Sequence, residues 1–554
     1  MGNYRLRIYS IVLLAFLLGG AIRQMDAQTA PDKYWIQFTD KANSPYSIDQ
    51  PRQFLSDRAL ERRARMGIAV NSMDLPVNQT YINEVTALSP EIYVVNRSKW
   101  FNAITIHLPD STLLESIANL PHVLQIKSVT TYAGSREVAL NRSTDSTPYT
   151  SETAYGDSEA QVKIHGGHIL HEMGFRGRGM QVAVLDAGFR NVDKLPAFAK
   201  LRNEDRILGT HDFVDGDDYV YHAHDHGMMV LSTMAGYVPD SLIGTANEAS
   251  YYLLRTEDPD QENVIEEDNW IAAAEWADSV GVDLINTSLG YSTFEDSLAS
   301  HTYADMDGNT ARISIASDLA AARGMLLVTS AGNSGSNAWH YITAPADADS
   351  VLTVGAVDRS GNHAFFSSFG PTSDGRIKPD VMAIGLQSTI ARPDSTFTPG
   401  NGTSFSSPIM CGLVTCLWQA FPQKSNMEII DKVKRSAHLY SMPNDSMGYG
   451  IPDLWEAFQM LRPIASGGFI FEAEVFPNPF SQEVVIVVRQ QEPNNLRIQL
   501  FDMLGREATP AWHFLAHDNV LIERLDCSEL QAGSYVLRIW SDNEHFSFPV
   551  IKSE

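Results

Sequence analysis

Apolar residues run along this chain in three rhythms. From Gln161 to about Leu461, short and nearly unbroken apolar runs alternate with longer stretches of helical spacing. Gln181-Val182-Ala183-Val184-Leu185, Val282-Asp283-Leu284-Ile285-Asn286, Met325-Leu326-Leu327-Val328-Thr329 and Val351-Leu352-Thr353-Val354-Gly355 show almost no polar face. Strands of a parallel sheet covered on both sides have that character. Asn269–Ser279 and Ile315–Arg323 have helical spacing and lie between them. The alternation predicts an α/β domain over residues 161–462, a parallel β-sheet with helices on both faces.

The flanks keep other time. Residues 28–132 combine the alternating runs 34–38 and 103–108 with an amphipathic stretch over 54–63, predicting a small α+β module. Residues 133–160 are rich in Ser, Thr and Gly and read as an exposed linker. After Pro463, the runs 484–488, 496–500 and 535–539 alternate, with turns at 502–505 and 532–534. They predict a small β-sandwich over residues 470–554.

One stretch shows no periodicity because it is apolar nearly all round. Asn401-Gly402-Thr403-Ser404-Phe405-Ser406-Ser407-Pro408 leads into Ile409–Trp418, a run that predicts a helix buried at the centre of the large domain. Pro408 is expected in its first turn, where a missing N–H costs nothing. Gly402 permits a sharp turn just before the helix. Ser404 then stands near a positive helix end, where a developing oxyanion is stabilised. A serine in that place is equally a plain N-cap. Only partners elsewhere in the chain distinguish the two readings, since an unassisted hydroxyl is a poor nucleophile.

Composition narrows the class. The 554 residues are too many for one core, and a net charge of −26 without a basic run excludes a nucleic-acid partner. Three cysteines do not make a disulfide framework. Residues 1–27 have the plan of a signal peptide. Arg5 and Arg7 precede an apolar run from Ile11 to Ala21, Arg23 ends it, and Ala27-Gln28 offers a cleavage point.

Candidate partners for Ser404 lie at strand ends and at a helix start. Asp186 closes the run 181–185, at the carboxyl edge where parallel sheets gather their sites. His226-Gly227 opens an apolar helix, and its imidazole is suited to taking a proton. His222, His224 and His226 alternate, but no glutamate follows at helical spacing and no cysteine ligand is near, so no metal site is assigned. Asn333, in Ser330-Ala331-Gly332-Asn333, offers an amide donor for an oxyanion. Ser288-Leu289-Gly290 ends another strand, where an extended peptide can add as a further strand.

Taken in order, Asp186-Ala187-Gly188, His226-Gly227, Ser288-Leu289-Gly290, Ala331-Gly332-Asn333 and Gly402–Pro408 resemble the subtilisin-like serine peptidases. Gly448-Tyr449-Gly450-Ile451-Pro452-Asp453 is similar to that family's closing motif. The resemblance implies that Asp186 orients His226, that His226 is the base, that Ser404 attacks, and that Asn333 donates to the oxyanion. Ser288, Leu289, Gly290, Ala331 and Gly332 would line the substrate cleft. It implies residues 28–132 as a propeptide that assists folding and blocks the cleft. No cofactor is implied, with calcium as a structural ion the one addition, in the acidic stretches Thr256–Asp268 or Asp212–Asp218. The stretch Thr256–Asp268 otherwise reads as a solvated face. Phe476-Pro477-Asn478-Pro479-Phe480, Asp502-Met503-Leu504-Gly505 and Gly533-Ser534-Tyr535 resemble the C-terminal sorting domains of the type IX secretion system.

The expected protein is a secreted or surface-exposed, self-processed serine endopeptidase. Its partners would be polypeptide substrates, its own propeptide and a secretion machinery, and it would act as a monomer. The rival is a catalytically silent adhesin on the same fold. An α/β-hydrolase is excluded, because Gly-x-Ser-x-Gly fails at Ser406.

Overall fold

The computed structural model describes residues 32–130, 155–462, 471–490, 495–515, 520–541 and 545–553. The expected signal peptide and most of the expected linker lie outside the described residues. No helix among the described residues is long and apolar enough to cross a membrane.

The central domain is built on a seven-stranded sheet in which every neighbour runs parallel. Its order is Val381–Ile384, Val351–Val357, Leu326–Ser330, Leu284–Thr287, Gln181–Asp186, Ser250–Arg255 and Ile207–Asp212. The four apolar runs read from the sequence form its middle, because only fully buried strands lack a polar face. Helices cover both faces. Thr403–Ala420 and His226–Ala235 pack on one side, Ile265–Val280 and Arg312–Ala322 on the other.

The helix Thr403–Ala420 is buried along nearly its whole length. It begins at Thr403 with Gly402 as its cap residue, so Pro408 falls in the second turn and not the first. The correction has a structural consequence. A proline there leaves the carbonyl four residues back without its helical donor. That carbonyl belongs to Ser404, and it accepts the Ser288 hydroxyl instead, at 2.9 Å. Ser404 is also not the N-cap, because it is the second residue of the helix.

The N-terminal module is a four-stranded antiparallel sheet, ordered Tyr93–Ser98, Ala103–His107, Lys33–Phe38 and Val123–Ser128. Its first α-helix is Asp57–Arg65, capped by the Ser56 hydroxyl, so it starts later than the stretch 54–63 suggested. The sheet and this helix lie against the helix Ile265–Val280 of the central domain. The described part of the expected linker, from Tyr155 onward, packs on the central domain. Ser158 is buried against Ile243, and the Gln161 side chain accepts the Thr389 N–H at 2.5 Å.

The C-terminal region has two antiparallel sheets. One contains Phe471–Phe476, Glu483–Gln490 and Val520–Asp526, and the other Trp512–Leu515, Asn495–Asp502, Gly533–Trp540 and His545–Lys552. Val484, Ile486 and Leu525 from the first meet Ile498, Leu500 and Leu537 from the second in one core. That arrangement is a β-sandwich.

Candidate active site

Three elements spread over more than two hundred residues converge at the carboxyl edge of the sheet. The strand Gln181–Asp186 ends with Asp186, whose side chain is fully buried. The helix His226–Ala235 starts with His226, and its Nδ1 lies 2.7 Å from Asp186 Oδ1. This approach depends on Gly227. A Cβ there would sit 2.6 Å from the Gly188 carbonyl oxygen and 2.8 Å from Asp186 Cβ. Asp186 Oδ1 also accepts the Ala187 N–H at 2.8 Å.

Burial disfavours a protonated His226, but the charge of Asp186 and its hydrogen bond outweigh it. The imidazole therefore keeps its proton to a higher pH than an ordinary histidine. His224 sits beside it and accepts the His226 backbone N–H on Nδ1 at 3.2 Å. It is half-buried and lines the cavity. Burial pushes its own pKa down, and it stays neutral.

The Ser404 hydroxyl donates to the Ser288 carbonyl at 3.3 Å, its one hydrogen bond among the described residues. It is not bonded to His226, although both face the same cavity of about 790 Å³. Around Ser404, small polar groups tie the strand end to the helix start. Asn286 donates to Ser288 Oγ at 3.1 Å, and Ser407 Oγ donates to Asn286 Oδ1 at 3.1 Å.

Asn333 reaches the same spot from the strand Leu326–Ser330. Its Oδ1 accepts both the N–H and the hydroxyl of Thr403, at 2.9 and 3.0 Å, which leaves Nδ2 aimed away from them. Gly402 stands at φ 151° with no side chain. A Cβ built there would lie 3.8 Å from Asn333 Nδ2 and 3.6 Å from the Ser404 amide nitrogen. Two N–H donors thus flank one small gap, the arrangement that suits an oxyanion. Thr403 is a residue the sequence did not single out. Nothing in local spacing ties it to an asparagine 70 positions earlier.

The cavity wall includes Ser288 and Leu289, together with Phe365, Phe366 and Phe405. Gly290, Ala331 and Gly332 are not in that wall. Ala331 is buried, with its N–H bonded to the Val354 carbonyl, and the Gly332 N–H donates to the Thr403 hydroxyl.

The acidic stretch Thr256–Asp268 is not the solvated face expected of it. Glu257, Glu266, Glu267 and Asp268 are buried. The stretch links a strand end to the first turn of the helix Ile265–Val280, where free backbone N–H groups need acceptors. Glu266 takes the N–H groups of Asp258 and Asn263, Glu267 meets His301, and Asp268 meets Arg312. Glu257, Asp258, Glu262 and Glu266 all line the cavity that holds Ser404. Both Glu266 oxygens thus accept backbone N–H groups. At the other stretch, Asp212, Asp215 and His222 bring ligand atoms within 4.8 Å of one another. Arg255 occupies that position, 2.8 Å from Asp212 and 2.6 Å from Asp215, so the carboxylates already have their cation.

The model of the subtilase family, Peptidase S8, matches residues 177–450. The Peptidase S8 propeptide domain of Bacteroidota matches residues 33–145, and the secretion system C-terminal sorting domain matches residues 474–552. Subtilisin DY of Bacillus licheniformis is 30% identical over 283 residues, 51% of this chain and 90% of that protein. Subtilisin BL of Lederbergia lenta is 29% identical over 268 residues, 48% of this chain and 86% of that protein. The chain belongs to the subtilase family and is a serine endopeptidase, carrying an S8 propeptide domain before the peptidase domain and, after it, a sorting domain for export to the cell surface or beyond.

Proposed function

We propose that Asp186, His226 and Ser404 form the catalytic triad of this peptidase and that Asn333 donates to the oxyanion. The observation that carries the reading is the 2.7 Å contact of His226 Nδ1 with buried Asp186, on a ring sharing one cavity with Ser404. Asp186 fixes the tautomer that leaves Nε2 as a proton acceptor. An extended substrate lies along the strand end at Ser288–Gly290, with its scissile carbonyl over Ser404. The Ser404 hydroxyl leaves the Ser288 carbonyl, gives its proton to Nε2, and its oxygen attacks the carbonyl carbon. Negative charge then collects on an oxygen in the gap left by Gly402, where Asn333 Nδ2 and the Ser404 N–H donate to it. His226 returns the proton to the leaving amine, and water repeats the sequence in reverse to free the acyl group.

No step needs a cofactor. The domain plan supports five units: a signal peptide at 1–27, a propeptide at 28–132, a processing region at 133–160, the peptidase at 161–462 and the sorting domain at 470–554. The enzyme acts as a monomer on polypeptides, without nucleic acid, and removes its own propeptide.

Substitution tests this directly. Ser404→Ala retains full-length proprotein, whereas Asn333→Ala processes about a hundred- to thousandfold more slowly, the loss known for removing one oxyanion donor from such an enzyme. Normal processing in both variants would transfer the cleavage to another protease and refute the assignment.

A further inference from the structure

The cavity beside Ser404 has an acidic wall, formed by Glu257, Asp258, Glu262 and Glu266. Glu257 is 7% exposed and follows directly on the sheet edge. Its Oε1 accepts the hydroxyls of Tyr291 and Thr256. Its Oε2 has no hydrogen-bond partner among the described residues, although the side chain is more than nine-tenths buried and lines the cavity. Glu262 and Glu266 stand in the same wall. No lysine or arginine among the described residues pairs with Glu257 or Glu266. Burial raises both carboxyls above the ordinary carboxylate range, and the charge of Glu262 raises each further.

Buried acids in a finished protein are normally paired with a cation or fully hydrogen-bonded. Glu266 satisfies the second condition through two backbone N–H groups. Glu257 satisfies neither, and its free oxygen is open to the space through which substrate passes. A cation entering there would replace mutual repulsion by attraction and complete the bonding of Oε2. The apolar members of the wall, Leu289 and Phe366, suit an aliphatic stem.

We propose that Glu257, assisted by Glu262 and Glu266, forms a subsite for a lysine or arginine side chain near the scissile bond. The subsite makes this a peptidase selective for basic sequences, a step that rests on Ser404 being the nucleophile. The chain itself carries such an occupant. Arg136 and Arg142 are the only basic residues between 131 and 154, the stretch in which the propeptide must be cut.

The test compares fluorogenic peptides on the processed enzyme. Arginine or lysine is placed in turn at each position flanking the cleaved bond, with citrulline or norleucine as the uncharged match. At one position, kcat/KM is expected to be about ten- to hundredfold higher for the basic residue, the range for a hydrogen bond to a charged group. Glu257→Gln keeps the hydroxyl contacts through its amide oxygen and should remove most of that ratio, while leaving the uncharged peptides nearly unaffected. Glu262→Gln lies nearer the surface, provides a second variant if Glu257→Gln does not fold, and should reduce the ratio less. A wild-type profile without basic preference overturns the subsite, as does a preference that both variants retain. Fluorophosphonate labelling of the same preparation reads the nucleophile separately. Full labelling without basic preference refutes only the subsite, and absence of labelling refutes the catalytic assignment and the subsite with it.

Discussion

The helix Ile265–Val280 carries buried acids at both ends, and the two ends are neutralised in opposite ways. At its C-terminal end Asp278 is fully buried, and three cations from the N-terminal module converge on it. Arg62 lies 2.6 Å away, Arg63 2.8 Å and Lys99 3.0 Å. Burial alone would raise this carboxyl, but the three cations hold it below the ordinary range. One turn earlier, Glu275 accepts the N–H groups of Lys99 and Trp100 and the Ser98 hydroxyl. At the N-terminal end Asp268 meets Arg312, but Glu266 and neighbouring Glu257 face the cleft with no cation paired to them among the described residues. A buried acid that is already paired reports a joint within the molecule. One left without a counter-charge beside a nucleophile reports what the molecule is waiting to bind.

The largest expected effect falls on Asp186, the acid proposed for the triad. Asp186→Asn should lower kcat by about ten-thousandfold, as the same change does in another serine peptidase, because the ring then presents the wrong tautomer. The same variant sharpens the pH dependence. Activity needs neutral His226, so kcat/KM falls about tenfold per pH unit below its pKa. With Asp186 in place that limb lies above the ordinary histidine value, because the carboxylate favours the protonated ring. Removing the charge should move the limb to lower pH, and an unmoved limb would mean that another group titrates.

A smaller effect is expected at the paired end. Asp278→Ala leaves Arg62, Arg63 and Lys99 buried without their partner, a loss of about 3–5 kcal/mol for a broken buried pair. In unprocessed Ser404→Ala protein, hydrogen exchange across the strands Tyr93–Ser98 and Ala103–His107 should speed up accordingly, while the central sheet stays protected. Because Asp278 is held below the ordinary carboxylate range, its contribution is present at neutral pH and is lost only on strong acidification. Glu257→Gln should leave this joint unchanged, which separates the two ends of the helix.

What the sequence made legible follows from where the signal is local. Strands 181–186, 284–287, 326–330 and 351–357 are buried on both faces, so their composition alone announces them. Ile207–Asp212 escaped notice because it is the edge strand and carries His211 and Asp212. Asp186, His226, Asn333 and Ser404 stood out as candidates because each lies at or near the end or start of an element, beside small residues. Thr403 was not, because its role lies in a contact with Asn333 that only the fold creates. Charge misled most. Arg62, Arg63 and Glu257 look solvated in a linear reading and are buried, since a counter-charge or a cavity two hundred residues away has no local trace. Pro408 was misplaced by one turn for a related reason. The donor that makes it tolerable, Ser288, lies more than a hundred residues upstream.

The central claim is that one hydroxyl in this cavity does the chemistry. It is tested most directly by labelling the secreted protein with a fluorophosphonate and mapping the adduct by mass spectrometry. The account predicts one phosphonylated residue, Ser404, and no adduct in either Ser404→Ala or His226→Ala, since the nucleophile and its base act as a unit. An adduct on another serine, or labelling that survives the loss of Ser404, would contradict it.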